Sequence, residues 1–196
     1  MSRPHRLDSN SYRGIRPYFL TISTHARARH FTDPAVVTLV LLQFLQAAAS
    51  EGFAVIAYCF MPDHVHLVVV GRSATSELPR FVKLAKQRSG FFFKRAFGRQ
   101  LWQESFYEHV IRRTDGLAEV IAYVIKNPVR VGLVSDPADY PYWGSGDYSR
   151  HELLQFVDNI DTDRAPALGV DAVMTKVDDI PISLRFYMFL QAVDLG

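Results

Sequence analysis

The chain has 196 residues, 48% of them hydrophobic, which suffices for one folded domain or one domain with an appendage. It has neither a signal-peptide core at its start nor an apolar run of membrane-span length, and its single cysteine, Cys59, excludes an internal disulfide. We therefore expect a cytoplasmic protein with no membrane partner. The net charge of +2 hides a basic region over 1–150, with 19 Lys/Arg against 12 Asp/Glu, and an acidic one over 151–196, with 3 against 8.

The hydrophobic pattern predicts seven elements in the order β-α-β-β-α-β-α. They are a strand over 16–25, a helix over 33–52, strands over 53–61 and 64–70, a helix over 76–97 with a candidate break at Gly90, a strand over 105–113, and a helix over 115–127 capped by Asp115 and stopped by Pro128. Alternation in the first strand puts Tyr18 and Leu20 on one face and Phe19 on the other, and the first helix has an Asp–Pro start and a glycine stop. The first six follow the order of the ferredoxin-like (RRM-like) fold, an α+β architecture with helices on one face of an antiparallel sheet. The seventh helix is free to lie near the open face.

The signals weaken after about residue 135. A loop rich in Tyr, Pro and Gly is followed by an acidic stretch and a terminal stretch, and each of these predicts a short helix. We therefore predict a main domain over 1–150 and an acidic C-terminal extension over 151–196.

The helix over 76–97 belongs to the most basic part of the chain. Residues 78–103 hold seven Lys or Arg and no acidic residue, with aromatic residues interleaved. Such a surface favours a polyanion, most often nucleic acid. An ordinary solvated helix face is the alternative.

Two histidines stand one residue apart in AYCFMPDHVHLVVV (57–70), directly after a Pro–Asp turn. Side chains at i and i+2 of a strand leave the same face, so His64 and His66 should lie side by side. Two neutral imidazoles on one face can share a divalent metal ion. Incidental strand histidines, hydrogen-bonded to their neighbours, would give the same pattern.

Tyr123 and Asn127 stand four residues apart on the last core helix and share one of its faces. Tyr123 falls on the flank of the apolar stripe, where its hydroxyl is a candidate nucleophile toward phosphorus. The Asn127 carbonyl oxygen suits a hard divalent ion. The alternatives are a tyrosine at the core edge and an asparagine that ends the helix. Together with the histidines, these residues suggest metal-assisted attack on a phosphodiester.

Separated stretches of the chain resemble one family. YCFMPDHVHLVVV resembles the histidine motif of the HUH single-tyrosine transposases, whose two histidines enclose a bulky apolar residue, here Val65. WQESFYEHVIRR and YVIKNPVRVGLV resemble the REP-associated tyrosine transposases, whose helix carries a Tyr-Ile-x-x-Asn-Pro-x-Arg-Ala-Gly pattern. This chain departs from the pattern at Val124 and Val131. The resemblance runs from about Arg16 to Tyr148.

The resemblance implies a transposase that cuts and rejoins single-stranded DNA beside hairpins such as REP-like repeats. Tyr123 would form a 5′-phosphotyrosine and leave a free 3′-hydroxyl, and His64, His66 and Asn127 would bind Mg²⁺ or Mn²⁺. The resemblance also favours a nucleoid-associated monomer over the dimers that its insertion-element relatives form. The expected phosphate contacts are Lys83, Lys86, Arg88, Lys94 and Arg95, with Arg112 and Arg113 as weaker candidates.

Two other functions remain open. A non-catalytic module of the same fold would bind single-stranded nucleic acid on its sheet through exposed aromatic residues. A metallohydrolase would use bound water instead of a tyrosine. Histidines on a central strand favour an enzyme, and a covalent DNA adduct that is lost in Tyr123→Phe would separate the three functions.

Overall fold

The structure is a computed structural model that describes residues 12–104, 107–110 and 116–162, with only the backbone of 107–110, 161 and 162. It divides the chain into two compact units, Met1–Tyr148 and Ser149–Gly196. The first unit contains β1 (Pro17–Ser23), α1 (Pro34–Glu51), β2 (Phe53–Met61), β3 (His64–Gly71), α2 (Leu78–Phe97), β4 (Tyr107–Val110), α3 (Leu117–Arg130) and β5 (Trp143–Gly144). The described part of the second unit contains α4 (Arg150–Thr162), and the predicted terminal helix lies outside the described residues.

The predicted α+β class and the predicted order of elements are confirmed. The five strands form one sheet in the order β4-β1-β3-β2-β5, with antiparallel neighbours throughout. β5 is the only strand of the described residues that the pattern misses, because two residues carry no readable period. The histidine-bearing strand β3 lies at the centre of the sheet, between β1 and β2.

The strands alternate between two differently covered faces. Tyr18, Leu20 and Ile22 of β1 are fully buried in one core with the inward side chains of α1 and α2. The alternate residues Phe19 and Thr21 point to the opposite face, where they meet α3 and the histidines of β3. α1 and α2 therefore cover one face, and α3 lies on the other.

The predicted Asp–Pro start and glycine stop of α1 are confirmed. The Asp33 carboxylate accepts a hydrogen bond from the Ala35 N–H (2.8 Å), and Gly52, at a φ of 72°, donates its N–H to the Ala48 carbonyl. By length and composition alone α1 could cross a membrane, so the expectation that no segment reaches that length is wrong. Its inward side is part of the protein core, however, and a core helix passes the same test.

We expect Asp33→Ala to lower the free energy of unfolding by about 1 kcal/mol, because the first turn of α1 loses its only side-chain cap. Urea denaturation measures the change. Thr32→Ala is the matched control, since the Thr32 hydroxyl bonds the Arg29 carbonyl outside the helix. An equal loss in both variants would contradict the capping role.

The predicted break in α2 is wrong. The helix continues through Gly90, since buried Ala85, Ser89 and Phe93 anchor it on both sides of that glycine. A Cβ at Gly90 would lie 3.6 Å from the Trp102 ring, which is an ordinary van der Waals contact, so a larger residue would not be strained there.

The predicted stop of α3 at Pro128 is also wrong, because the helix runs on to Arg130. Only two helix residues, Val129 and Arg130, follow the proline, and the Val131 N–H donates to the Asn127 carbonyl (3.2 Å). Gly116 occupies the N-cap position, and the predicted cap, Asp115, lies outside the described residues.

Candidate active site

A tight turn and the register of the sheet bring the two histidines together. Pro62 and Asp63 join β2 to β3, and His64 and His66 then point to the α3 side of the sheet. Their Nε2 atoms lie 3.1 Å apart, and their rings are nearly perpendicular, at 84°. The predicted side-by-side placement is therefore what the structure shows.

The separation of the two nitrogens fits two kinds of contact. If one nitrogen carries a proton, 3.1 Å is a hydrogen bond. If neither does, both lone pairs can be used by one cation, because two ligands about 2.1 Å from an octahedral ion and about 90° apart are separated by about 3.0 Å. The donor pair thus fits a divalent cation in its geometry.

A partner on each Nδ1 atom orients the two rings. The Asp63 carboxylate lies 2.6 Å from His64 Nδ1, and the Thr21 hydroxyl lies 2.9 Å from His66 Nδ1. Because each Nδ1 is engaged, each Nε2 is turned toward the other ring. A carboxylate behind an imidazole is a usual support of a metal-binding histidine, and the Thr21 hydroxyl takes the equivalent position behind His66.

Burial keeps His66 neutral. Its side chain is 6% exposed, and burial, followed by the nearby His64 and Arg27, lowers the pKa of His66 to about 3. A neutral imidazole is the form that binds a metal ion. The His64 side chain is more accessible to solvent, with 18% exposure.

Tyr123 lies over this pair from α3. Its ring centroid is 5.8 Å from that of His66 and 5.9 Å from that of Phe19, both in edge-on arrangements. The Arg130 guanidinium covers the same ring at 4.6 Å from its centroid. The phenol is half-buried on the histidine side of the sheet, and two aromatic contacts and one cation fix the plane of its ring.

Asn127 is buried one helical turn beyond Tyr123, with 6% exposure. Its side chain makes no hydrogen bond to either histidine, so the structure places it on the same helix face as Tyr123 without joining it to the pair. Within the described part of the chain, no group of three or more His, Cys, Asp or Glu side chains could hold a metal ion. A third protein ligand would therefore need a donor of another type, such as the Asn127 amide oxygen.

Four residues of the site were missed by the reasoning from sequence. Asp63 and Thr21 support the histidines, and Arg130 covers Tyr123. Arg27, at a φ of 55°, bonds Asp63 (3.3 Å) and Ser23 (3.0 Å). Asp63 and Arg130 lie inside the two family-like motifs, so the sequence could have indicated them. The contact of Thr21 depends on strand register, and that of Arg27 depends on a turn with positive φ.

The predicted phosphate contacts on α2 divide into two groups. Lys83, Lys94 and Arg95 are exposed. Lys86, whose pKa burial lowers, donates to the Gln103 carbonyl (2.7 Å), and Arg88 donates to Gln46 (3.1 Å). Arg112 and Arg113 lie outside the described residues. Because α2 covers the face opposite to the histidines, its middle does not face the site.

Comparisons with known proteins agree with one another. The family described as "Transposase IS200 like" matches residues 17–127. A Haemophilus influenzae protein assigned to the REP-associated tyrosine transposases is 30% identical over 137 residues, which cover 64% of this chain and 77% of that protein. The Escherichia coli REP-associated tyrosine transposase is 29% identical over 100 residues, covering 50% of this chain and 58% of that one.

A solved structure is similar in fold. It is that of a REP-associated tyrosine transposase bound to a REP hairpin, with a TM-score of 0.60 and 22% identity. The match covers 73% of this chain and 82% of the other.

Proposed function

This chain belongs to the IS200-like transposases, with REP-associated tyrosine transposases among its relatives, and on that premise we propose that it cleaves and rejoins single-stranded DNA beside hairpins through a phosphotyrosine. One observation carries the proposal. The Tyr123 ring lies against His66, whose Nε2 is 3.1 Å from that of His64, so the proposed nucleophile and the two proposed cation ligands share one side of the sheet.

In the proposed reaction the Tyr123 oxygen attacks the scissile phosphorus. A bond forms between that oxygen and phosphorus while the bond from phosphorus to the 3′-oxygen breaks, and the proton lost by the phenol is balanced by one gained at the 3′-hydroxyl. The DNA 5′-phosphate stays on Tyr123. Attack by another 3′-hydroxyl reverses the step and joins two strands without ATP.

His64, His66 and Asn127 are the proposed ligands of Mg²⁺ or Mn²⁺. Such an ion, when bound, supplies positive charge that polarises the phosphodiester. Other residues keep the two imidazoles in a form that can bind a cation. Asp63 and Thr21 hold the two rings in place, and burial keeps His66 unprotonated. The Arg130 guanidinium lies over the phenol ring and helps to hold it in place.

The position of Phe19 supports an enzyme over a non-catalytic binder. A binder of this fold would need aromatic residues open to bases on its sheet. Phe19 is the aromatic residue of β1 on this face, and it is packed between His66 (5.4 Å) and Tyr123 (5.9 Å). Its ring therefore serves the site rather than a base.

The test is to map a covalent adduct. The full chain is incubated with a labelled hairpin-bearing single strand and Mn²⁺, then digested and examined by mass spectrometry. We expect the 5′-phosphorylated DNA remnant on Tyr123. A remnant on another of the nine tyrosines, or cleavage without an adduct, would contradict the proposal.

We expect Arg130→Gln to slow adduct formation about tenfold, since a cation over a partly buried ring contributes about 1 kcal/mol or more to its placement. Arg130→Lys should keep part of the rate. Single-turnover measurements with saturating DNA give the change in the chemical step. Arg80→Gln, on α2, removes the same charge far from the ring, so an equal loss there would mean that net charge alone matters.

We also propose that the protein acts as a monomer in the cytoplasm, where its DNA is found. Sedimentation tests the first statement, because a monomer predicts the mass of one chain for the free protein and one chain per DNA molecule for its complex with a hairpin.

A further inference from the structure

We propose that the C-terminal half of α2 and the turn after it form a second DNA-contact surface, which binds the single strand flanking the cleavage site. This inference rests on the proposed function and deepens it. We name the aromatic–basic surface by its six residues, three with exposed phenyl rings and three with exposed cations: Phe91, Phe92, Phe97, Lys94, Arg95 and Arg99.

The exposed rings are unusual for a helix that otherwise packs well. Phe91 is 61% exposed, Phe92 41% and Phe97 40%, whereas Phe93 between them is fully buried in the core. These three are the only aromatic residues among the large hydrophobic side chains that are exposed in the described part of the chain. Grouped exposed rings on one helix end indicate a binding surface.

The charges select the kind of partner. Lys94 and Arg95 follow Phe91 by three and four residues, so helical spacing sets cations beside the rings. No acidic residue occurs from 78 to 103. Flat rings that stack on bases, next to cations that meet phosphates, are the components of a single-strand binding surface, and stacking tolerates any base.

The aromatic–basic surface is connected to the histidine pair through the turn that follows β1. Phe93 of α2 contacts the His30 ring (4.9 Å), and the pKa of His30 is lowered by burial and, to a smaller extent, by the nearby Arg99. In the same turn the Phe31 N–H bonds the Pro62 carbonyl (3.0 Å), and the Thr24 N–H bonds that of Asp63 (2.9 Å).

The surface and the site therefore lie at the same end of the sheet. A strand held at His64 can pass this end, by way of the exposed Arg27, without crossing the sheet. This route lets the C-terminal part of α2 serve DNA even though α2 covers the face opposite to the histidines.

The test measures binding in a Tyr123→Phe background, so that no cleavage occurs. The probes are a DNA hairpin with an oligothymidine extension and the same hairpin without it. We expect Phe91→Gln/Phe92→Gln to bind the extended probe about tenfold more weakly or worse, and the bare hairpin unchanged. Leu42→Gln, on α1 and 51% exposed, is the matched control and should change neither.

Two further variants identify what the rings and cations do. Phe91→Leu/Phe92→Leu keeps an apolar surface but removes stacking, so it should weaken the extended probe almost as much as the glutamine pair. Lys94→Gln/Arg95→Gln should reduce the salt dependence of binding by about two phosphate contacts, whereas the single charge control Arg80→Gln should not.

Several outcomes would overturn the inference. The first is that the glutamine pair and Leu42→Gln bind the extended probe with equal affinity, and the second is that the leucine pair binds it fully. The others are that the chain dimerises through the rings, or that it binds anionic phospholipid vesicles through them. If the rings bind the extension but no adduct ever forms on Tyr123, the proposed function fails, whereas the proposed DNA-contact surface is still supported. If adducts form normally and the ring variants bind the extended probe as tightly as the unaltered chain, only this inference fails.

Discussion

Tyr123→Phe should abolish the covalent DNA adduct, a loss of about 10³-fold or more in strand cleavage, while the chain folds and binds hairpin DNA as before. The change removes only the hydroxyl. The contacts that position the ring, with Phe19, His66 and Arg130, involve its faces and edges and survive in phenylalanine. Denaturing electrophoresis of labelled DNA measures the adduct, and a shift assay measures binding.

Tyr142→Phe is the matched control, because Tyr142 is also half-buried and loses the same atom outside the site. It should form adduct at the normal rate. Cleavage that persists in Tyr123→Phe would show that water is the nucleophile and would favour the metallohydrolase. Binding by the unaltered chain with neither adduct nor cleavage would favour the non-catalytic module.

The parts of the fold that follow from local pattern could be predicted from sequence. Alternation placed Tyr18 and Leu20 on one face of β1 and Phe19 on the other, as the structure confirms. The Asp33 cap and the Gly52 stop of α1 depend only on local residues, so they could also be predicted from the sequence. The expected stop at Pro128 was wrong because a proline inside a helix removes one backbone hydrogen bond without always ending the helix. Here Asn127 and Pro128 are buried, and the helix continues to Arg130.

The site could be predicted only where one element fixes it. The two histidines share a face because a strand has a period of two, so their pairing follows from spacing alone. That Tyr123 would lie over His66 depends on how α3 crosses the sheet, which no local pattern specifies. Thr21 reaches His66 through the β1–β3 register, and Arg27 through two residues of positive φ, neither of which is visible in composition or periodicity.

The second large effect is expected at the histidine pair. His64→Ala and His66→Ala should each weaken Mn²⁺ binding by more than about 100-fold and stop adduct formation, because each leaves only one imidazole and the weak Asn127 amide oxygen to hold the cation. The supporting residues predict a graded series. Asp63→Asn and Thr21→Val leave both imidazoles in place but free their orientation, which should weaken binding by about 10- to 100-fold.

Mn²⁺ titration followed by electron paramagnetic resonance measures binding without relying on catalysis, and the midpoint of thermal unfolding reports whether the buried His66 position tolerates alanine. If His66→Ala does not fold, the graded pair still tests the site, since neither Asp63→Asn nor Thr21→Val removes a large buried side chain. The order of affinities is decisive. Unchanged Mn²⁺ binding across the series would mean that the 3.1 Å contact is only a hydrogen bond between two strand histidines, and that any metal needed for cleavage is held elsewhere.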